Sequence, residues 1–200
     1  MSPSLPTVLQ HEMHPSRWGD PARAAALPES ARGIVDLVFG AEDHPTVEDP
    51  PLVPPAIAPA LLEALAGILG ADQVLTDDET RRLRTRGKST PDLLRMRAGD
   101  VSDAPDAVVR PGTHDEVAAV LAFAVEHHLA VVPFGGGTAV TGGLVARREG
   151  FAGVLSLDLV RMKRLVAVDH VSMTATLEPG LRDGAHPDGH RRDHAERTLG

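Results

Sequence analysis

The sequence predicts a mixed α+β fold: a βαβ unit followed by small antiparallel strands, preceded by a mainly helical N-terminal segment. Three observations carry this expectation. A short apolar run at 107–110, a capped amphipathic helix and a second apolar run at 130–133 follow one another within about 30 residues, the spacing of parallel strands joined by a right-handed crossover helix. Strand-like runs follow at 153–157, 164–168 and 172–177, with Asp169 and His170 as a hairpin connection between the last two. Upstream, residues 58–70 carry a helical stripe of Leu61, Leu62, Leu65, Ile68 and Leu69, with Pro59 in the first turn and Gly70 as the stop.

Taken in order, residues 1–20 are rich in Pro, Ser and His without an apolar period and read as an irregular leader, with Trp18 as its anchor. A short helix is expected over 28–39, burying Ile34, Val35 and Val38. The prolines of HPTVEDPPLVPP then impose an extended linker. After the 58–70 helix, a second begins near Thr76, where Asp77, Asp78 and Glu79 suit the positive end of its dipole. It leads into RRLRTRGKSTPDLLRMRAGD, a basic patch read as a solvated face, with neutralisation of a phosphate by Arg81 to Arg97 as the alternative. The GKST in it resembles the end of a P-loop, but position 82 is Arg where that motif needs glycine and no strand precedes it, so nucleotide hydrolysis is not expected. In the βαβ unit, Thr113 and Glu116 are spaced as a capping box. Val117, Val120, Leu121, Ala124 and Val125 form the buried stripe of the helix, which ends near His128.

Composition narrows the function. A formal net charge of -8 argues against a general nucleic-acid surface. Zero cysteines exclude disulfides, thiolate catalysis and cysteine zinc sites. Aromatics are 2% of the chain, which disfavours base-stacking platforms. The first residues lack a basic start and an apolar segment, and no run reaches the roughly 20 apolar residues of a membrane helix, so a cytoplasmic location is expected.

The most informative stretch is 131–144, VVPFGGGTAVTGGL. Three consecutive glycines permit positive φ and close backbone approach, and successive N–H groups turned to one point form an anion nest. A tight turn between strands accounts for the same glycines. The glycines follow the second strand and do not open a convincing helix, so the dinucleotide fingerprint of a Rossmann fold is a poor match.

The stretch from APDAVV through VVPFGGGTAVTGGL, the strand ending in SLD and the strand carrying ATLEPG resemble the FAD-binding part of the FAD-linked oxidase family, with its PCMH-type or vanillyl-alcohol-oxidase fold. RWGDP and GKSTPDLLRMRAGD are most similar to the alkyldihydroxyacetonephosphate synthase branch and its bacterial relatives. The resemblance covers roughly residues 17–182. It implies a PCMH-type domain with FAD held at its pyrophosphate by Pro133, Phe134, Gly135, Gly136, Gly137, Thr138, Ala139 and Val140, with Thr141, Gly142 and Gly143 behind them. The loop has neither His nor Cys, so the attachment implied is noncovalent. In the synthase branch the implied reaction exchanges the acyl group of acyl-dihydroxyacetone phosphate for a fatty alcohol; in the wider family FAD accepts a hydride from a 2-hydroxy acid.

After Leu181 and Arg182 the family pattern stops. DGAHPDGHRRDHAERTLG has too few aliphatic residues to bury a face and reads as an aberrant tail, from truncation or a shifted reading frame. His186, His190, His194 and Asp193 there are spaced for one helix face, but Pro187, Gly184 and Gly189 oppose a helix, so no metal is expected. The expected organisation is a leader and linker over 1–57, a helical segment over 58–102, a partial FAD-binding domain over 103–182 and the tail over 183–200. Such a chain is expected to bind FAD and to lack catalytic residues of its own. A small-molecule or lipid-like substrate is expected only in a full-length relative. The alternative is a non-catalytic module that binds a phosphate ligand or a partner.

Overall fold

The computed structural model describes residues 12–19, 25–40 and 45–181. Its elements are α1 (Glu29–Phe39), α2 (Pro59–Leu69), β1 (Val74–Leu75), α3 (Asp78–Leu83), α4 (Thr90–Arg97), β2 (Ala107–Val109), α5 (His114–Glu126), β3 (Leu129–Phe134), β4 (Gly153–Asp158), β5 (Leu165–Asp169) and β6 (Thr174–Leu177). The four-stranded sheet has the order β1-β2-β4-β3. Strands β2 and β3 both run parallel to β4, and β1 pairs antiparallel with β2. The βαβ unit is therefore present, but β4 inserts between its two strands.

That insertion explains the residues of β4. GVLSLD is buried at every position, as a parallel strand covered on both faces must be. Leu155 and Leu157 face a core shared with Ala107, Val109, Leu65 and Leu69 of α2, and Val120 and Ala124 of α5. The helical segment and the sheet thus share one apolar core. Strand alternation turns Val154, Ser156 and Asp158 to the opposite face.

Local signals set the helix ends. Thr113 Oγ1 accepts from the N–H of Glu116 at 3.1 Å, while the Glu116 carboxylate accepts from Gly112 N–H at 2.6 Å, one residue before the cap. Asp77 caps α3 through Thr80 N–H, and Ser89 caps α4 through Asp92 N–H. Gly70 closes α2 at φ 93, a left-handed value that suits glycine.

Four expectations need correction. The apolar side of α1 is not buried: Ile34, Val35 and Val38 are exposed, because no described element packs on this helix, and periodicity marks an apolar face without supplying a partner. Trp18 is half-exposed, and the leader is held instead by the Glu12 carboxylate and by the carbonyls of His14, Pro15 and Ser16. The hairpin between β5 and β6 does not turn at Asp169 and His170. Asp169 ends β5 opposite Thr174, and its carboxylate accepts from Val171 N–H, Ser172 N–H and Ser172 Oγ, which moves the turn to residues 170–173. The segment 81–97 is not a solvated face: Arg81, Arg84, Arg86 and Lys88 are buried. The burial is possible because each cation has partners, Arg81 donating to the carbonyls of Pro105 and Val53, Arg84 to Asp158 and Glu12, and Arg86 to Asp103 and the Asp100 carbonyl.

Candidate functional site

The carboxyl ends of the parallel strands lie together, since Phe134 pairs with Asp158 and Val109 with Leu157. Ligands of open α/β sheets gather at this end, and the glycine run leaves β3 here. β3 is the sheet's edge, which accommodates Pro133, a residue with no N–H to give a second neighbour. Phe134 is buried, and its carbonyl accepts from Leu159 N–H at 3.0 Å.

Beyond Phe134 the chain folds tightly on itself. Gly137 has φ 69, and a β-carbon there would stand 2.6 Å from Phe134 Cζ, so only glycine fits both the conformation and the space. The Ala139 carbonyl accepts from Lys88 N–H at 2.7 Å. Gly87 leaves no room for a side chain against that same carbonyl, so the Gly87–Lys88 backbone docks directly on the loop. Gly180 is equally confined by the carbonyls of Leu159 and Met162, and the Pro179 carbonyl lies 3.6 Å from the β-carbon position of Gly135. The loop thus lies between the GK turn and the segment after β6.

The resulting surface suits an anion. Residues 129–146 contain no charged side chain. Among the described residues no acceptor takes the N–H groups of Gly136, Gly137 or Thr138. Gly136 and Thr138 are exposed, as are Val140 and Thr141, whereas Ala139 and Gly142 are half-buried. Of residues 133–142, Pro133 and Phe134 end β3 and 135–142 form the loop that follows it; backbone N–H groups of such a loop are the kind of donors that receive an anion.

Lys88 is not free to act as a phosphate-binding lysine. Its Nζ donates to the carbonyls of His14 and Pro15 at 2.7 and 2.8 Å, and Arg97 Nε donates to the Ser16 carbonyl at 3.2 Å. These bonds strap residues 12–19 beside the loop, with Glu12 and Met13 near Gly136 and Gly137. Burial lowers the Lys88 ammonium to about 8, against the opposing pull of Asp92. Ser89 of the same GKST run is engaged as the α4 cap.

Sequence reasoning missed the support beneath the loop. Arg84 Nε and Nη2 donate to Asp158 Oδ2 at 3.0 and 2.9 Å, and its Nη1 and Nη2 donate to the two oxygens of Glu12 at 3.1 and 2.8 Å. Burial by itself would lower the Arg84 pKa, but Asp158 and Glu12 raise it above its ordinary value. Arg110 reaches the same Asp158 oxygen at 3.4 Å. The one available signal was Asp158 closing an otherwise uncharged, apolar strand. Among the described residues no group of acidic or histidine side chains could hold a metal. The histidine cluster at 186–194 lies outside the described residues.

The parallel βα layer carries an uncharged glycine loop at the carboxyl end of β3, the end at which open α/β sheets receive ligands. Residues 105–185 match the family described as FAD binding domain, and the fold is of the PCMH type expected from the sequence. FAD is the cofactor of this domain. The chain is 38% identical over 131 residues to alkyldihydroxyacetonephosphate synthase of Trypanosoma brucei brucei, covering 65% of this chain and 21% of that protein. It is 34% identical over 165 residues to the synthase of Dictyostelium discoideum, covering 76% and 27%. A solved alkyldihydroxyacetonephosphate synthase superposes with a TM-score of 0.71 at 28% identity, covering 87% of this chain and 37% of the other. The chain thus spans about a fifth to a quarter of the two curated relatives. No described helix is long and apolar enough to cross a membrane.

Proposed function

We propose that the chain is the FAD-binding portion of a flavin-dependent oxidoreductase or alkyldihydroxyacetonephosphate synthase-like enzyme. It holds FAD noncovalently at the pyrophosphate through residues 133–142. The observation that supports this reading is the uncharged loop at the carboxyl end of β3, with the N–H groups of Gly136, Gly137 and Thr138 uncommitted among the described residues. Thr138 Oγ1 adds a hydroxyl donor. Bound flavin supplies the hydride-accepting chemistry, and the protein's part is to bind and orient it. Residues 103–182 form the cofactor-binding unit, with 58–102 as its supporting layer.

The location is cytoplasmic. The test is direct. The purified full chain is titrated with FAD, and flavin absorbance and fluorescence are followed, with release on denaturation as the check for noncovalent binding. Saturable uptake of about one FAD per chain supports the proposal. A folded chain that takes up no FAD overturns it.

A further inference from the structure

We propose that Arg84 is a positioning residue for the cofactor loop, acting through the ring of Phe134 on the turn at Gly137. The proposal rests on the reading of residues 133–142 as the FAD cradle. It is carried by a chain of four contacts. Asp158, fully buried and paired with Phe134 across the β3–β4 ladder, accepts two bonds from Arg84. The Arg84 guanidinium, itself buried, covers the Phe134 ring at 4.9 Å from its centroid. The far edge of that ring, Cζ and Cε1, occupies the space a side chain at Gly137 would need, at 2.6 and 3.1 Å. Gly137 then holds the left-handed backbone that turns the loop.

Each link is constrained on two sides. The guanidinium fork is held by carboxylates at both ends, so its plane over the ring is fixed. The ring lies between the guanidinium on one side and the side-chain space of Gly137 on the other, and turning it away from the guanidinium loses the cation–π contact. The direction of the loop N–H groups therefore depends on a side chain that lies outside the loop and need not touch the ligand. This gives the basic segment a role different from neutralising a phosphate. Arg84, one of its buried arginines, shapes the cradle from below, with its charge consumed by Asp158 and Glu12.

The test uses the full chain with Arg84→Lys, which keeps a cation but loses the fork, with Phe134→Leu, and with the double variant. Two readouts are taken: FAD affinity, and hydrogen–deuterium exchange of the loop amides without FAD. The expected result is FAD binding weakened about tenfold in each single variant. Exchange at residues 135–141 is expected to be about tenfold faster, with the amides of β2 and β4 unchanged. The double variant should be little worse than Phe134→Leu, since Arg84 acts through the ring. Unchanged loop exchange in both single variants, loosening of loop and sheet together, or fully additive effects on affinity each overturn the proposal. If the unmodified chain binds no FAD, the cofactor reading fails, and the exchange data still decide whether Arg84 positions the loop.

Discussion

Replacing Gly136 and Gly137 by alanine, one at a time, separates what the loop does for the protein from what it does for the ligand. At Gly137 the new β-carbon meets Phe134 Cζ at 2.6 Å, and φ 69 is left-handed. The left-handed conformation costs an alanine about 1–2 kcal/mol, and overpacking a buried ring adds about 1–3 kcal/mol. The sum, about 2–5 kcal/mol, lowers the melting temperature of a chain this size by about 4–20 °C. At Gly136 the nearest atoms are Thr138 Cγ2 and Oγ1 at 3.8 and 3.9 Å, and φ is not left-handed, so the fold accepts the methyl group. Gly136→Ala should therefore melt within about 2 °C of the unmodified chain. If the backbone at 136 approaches a pyrophosphate, the methyl group displaces at least one charge-assisted hydrogen bond of about 1.5–3 kcal/mol, which weakens FAD binding about 10- to 100-fold. Calorimetric FAD titration and thermal melts of both variants give the comparison. Gly136→Ala with normal melting and normal affinity would refute the backbone cradle.

Other positions give independent expectations. Gly87→Ala drives a β-carbon into the Ala139 carbonyl, so urea unfolding should show a loss of about 1–3 kcal/mol, and FAD affinity should fall because the loop is displaced. Leu65→Ala empties a fully buried site between α2, α5 and the sheet and should cost about 2–5 kcal/mol in the same assay, without a change specific to the loop amides. Lys88 carries a pH dependence. Its ammonium titrates at about 8 in the fold against 10.5 ordinarily, so between those values the unfolded chain binds the extra proton, and stability gains from Lys88 as pH rises. The difference in unfolding free energy between the unmodified chain and Lys88→Met should therefore shift in favour of the lysine from pH 8 to 10. A pH-independent difference refutes the burial argument.

Much of the sheet was readable because its signals are local. The apolar run of β2, the Thr113 and Glu116 cap of α5 and the apolar run of β3 each report their own conformation, and the structure places them within a residue or two of expectation. The order of strands was not readable. Nothing in GVLSLD says that it lies between β2 and β3 rather than beside them, although its unbroken burial is the consequence. The same limit explains α1, whose stripe of Ile34, Val35 and Val38 is a true helical period with no described element to bury it. It also explains the arginines. Local sequence around 81–88 reads as a charged surface, and the partners that allow burial come from Val53, Pro105 and Asp158, which only the fold brings near. At the candidate site, the glycines were legible because left-handed backbone and close approach need them, whereas Arg84 acts from about 50 residues upstream.

The buried arginines also explain how a loop with so little apolar anchoring can be held in one shape. Residues 135–143 offer no large side chain except Val140, which is exposed, so packing alone cannot define them. Hydrogen bonds at their borders take over that role: Lys88 N–H on Ala139, Leu159 N–H on Phe134, and Val145 N–H on Gly142. Lys88 and Arg84 in turn fasten the segment at 12–16, and Arg148 ties the chain after the loop to Asp106 and the Ala104 carbonyl. Buried ion pairs seldom add much net stability over apolar substitutes, because desolvation offsets attraction. Their value here is directional: a guanidinium fork fixes angles as well as distances, and a cradle built from backbone N–H groups depends on angles. An apolar replacement of the Arg84 and Asp158 pair could therefore retain the melting temperature while losing the ligand, an outcome that an apolar core residue such as Leu65 cannot produce.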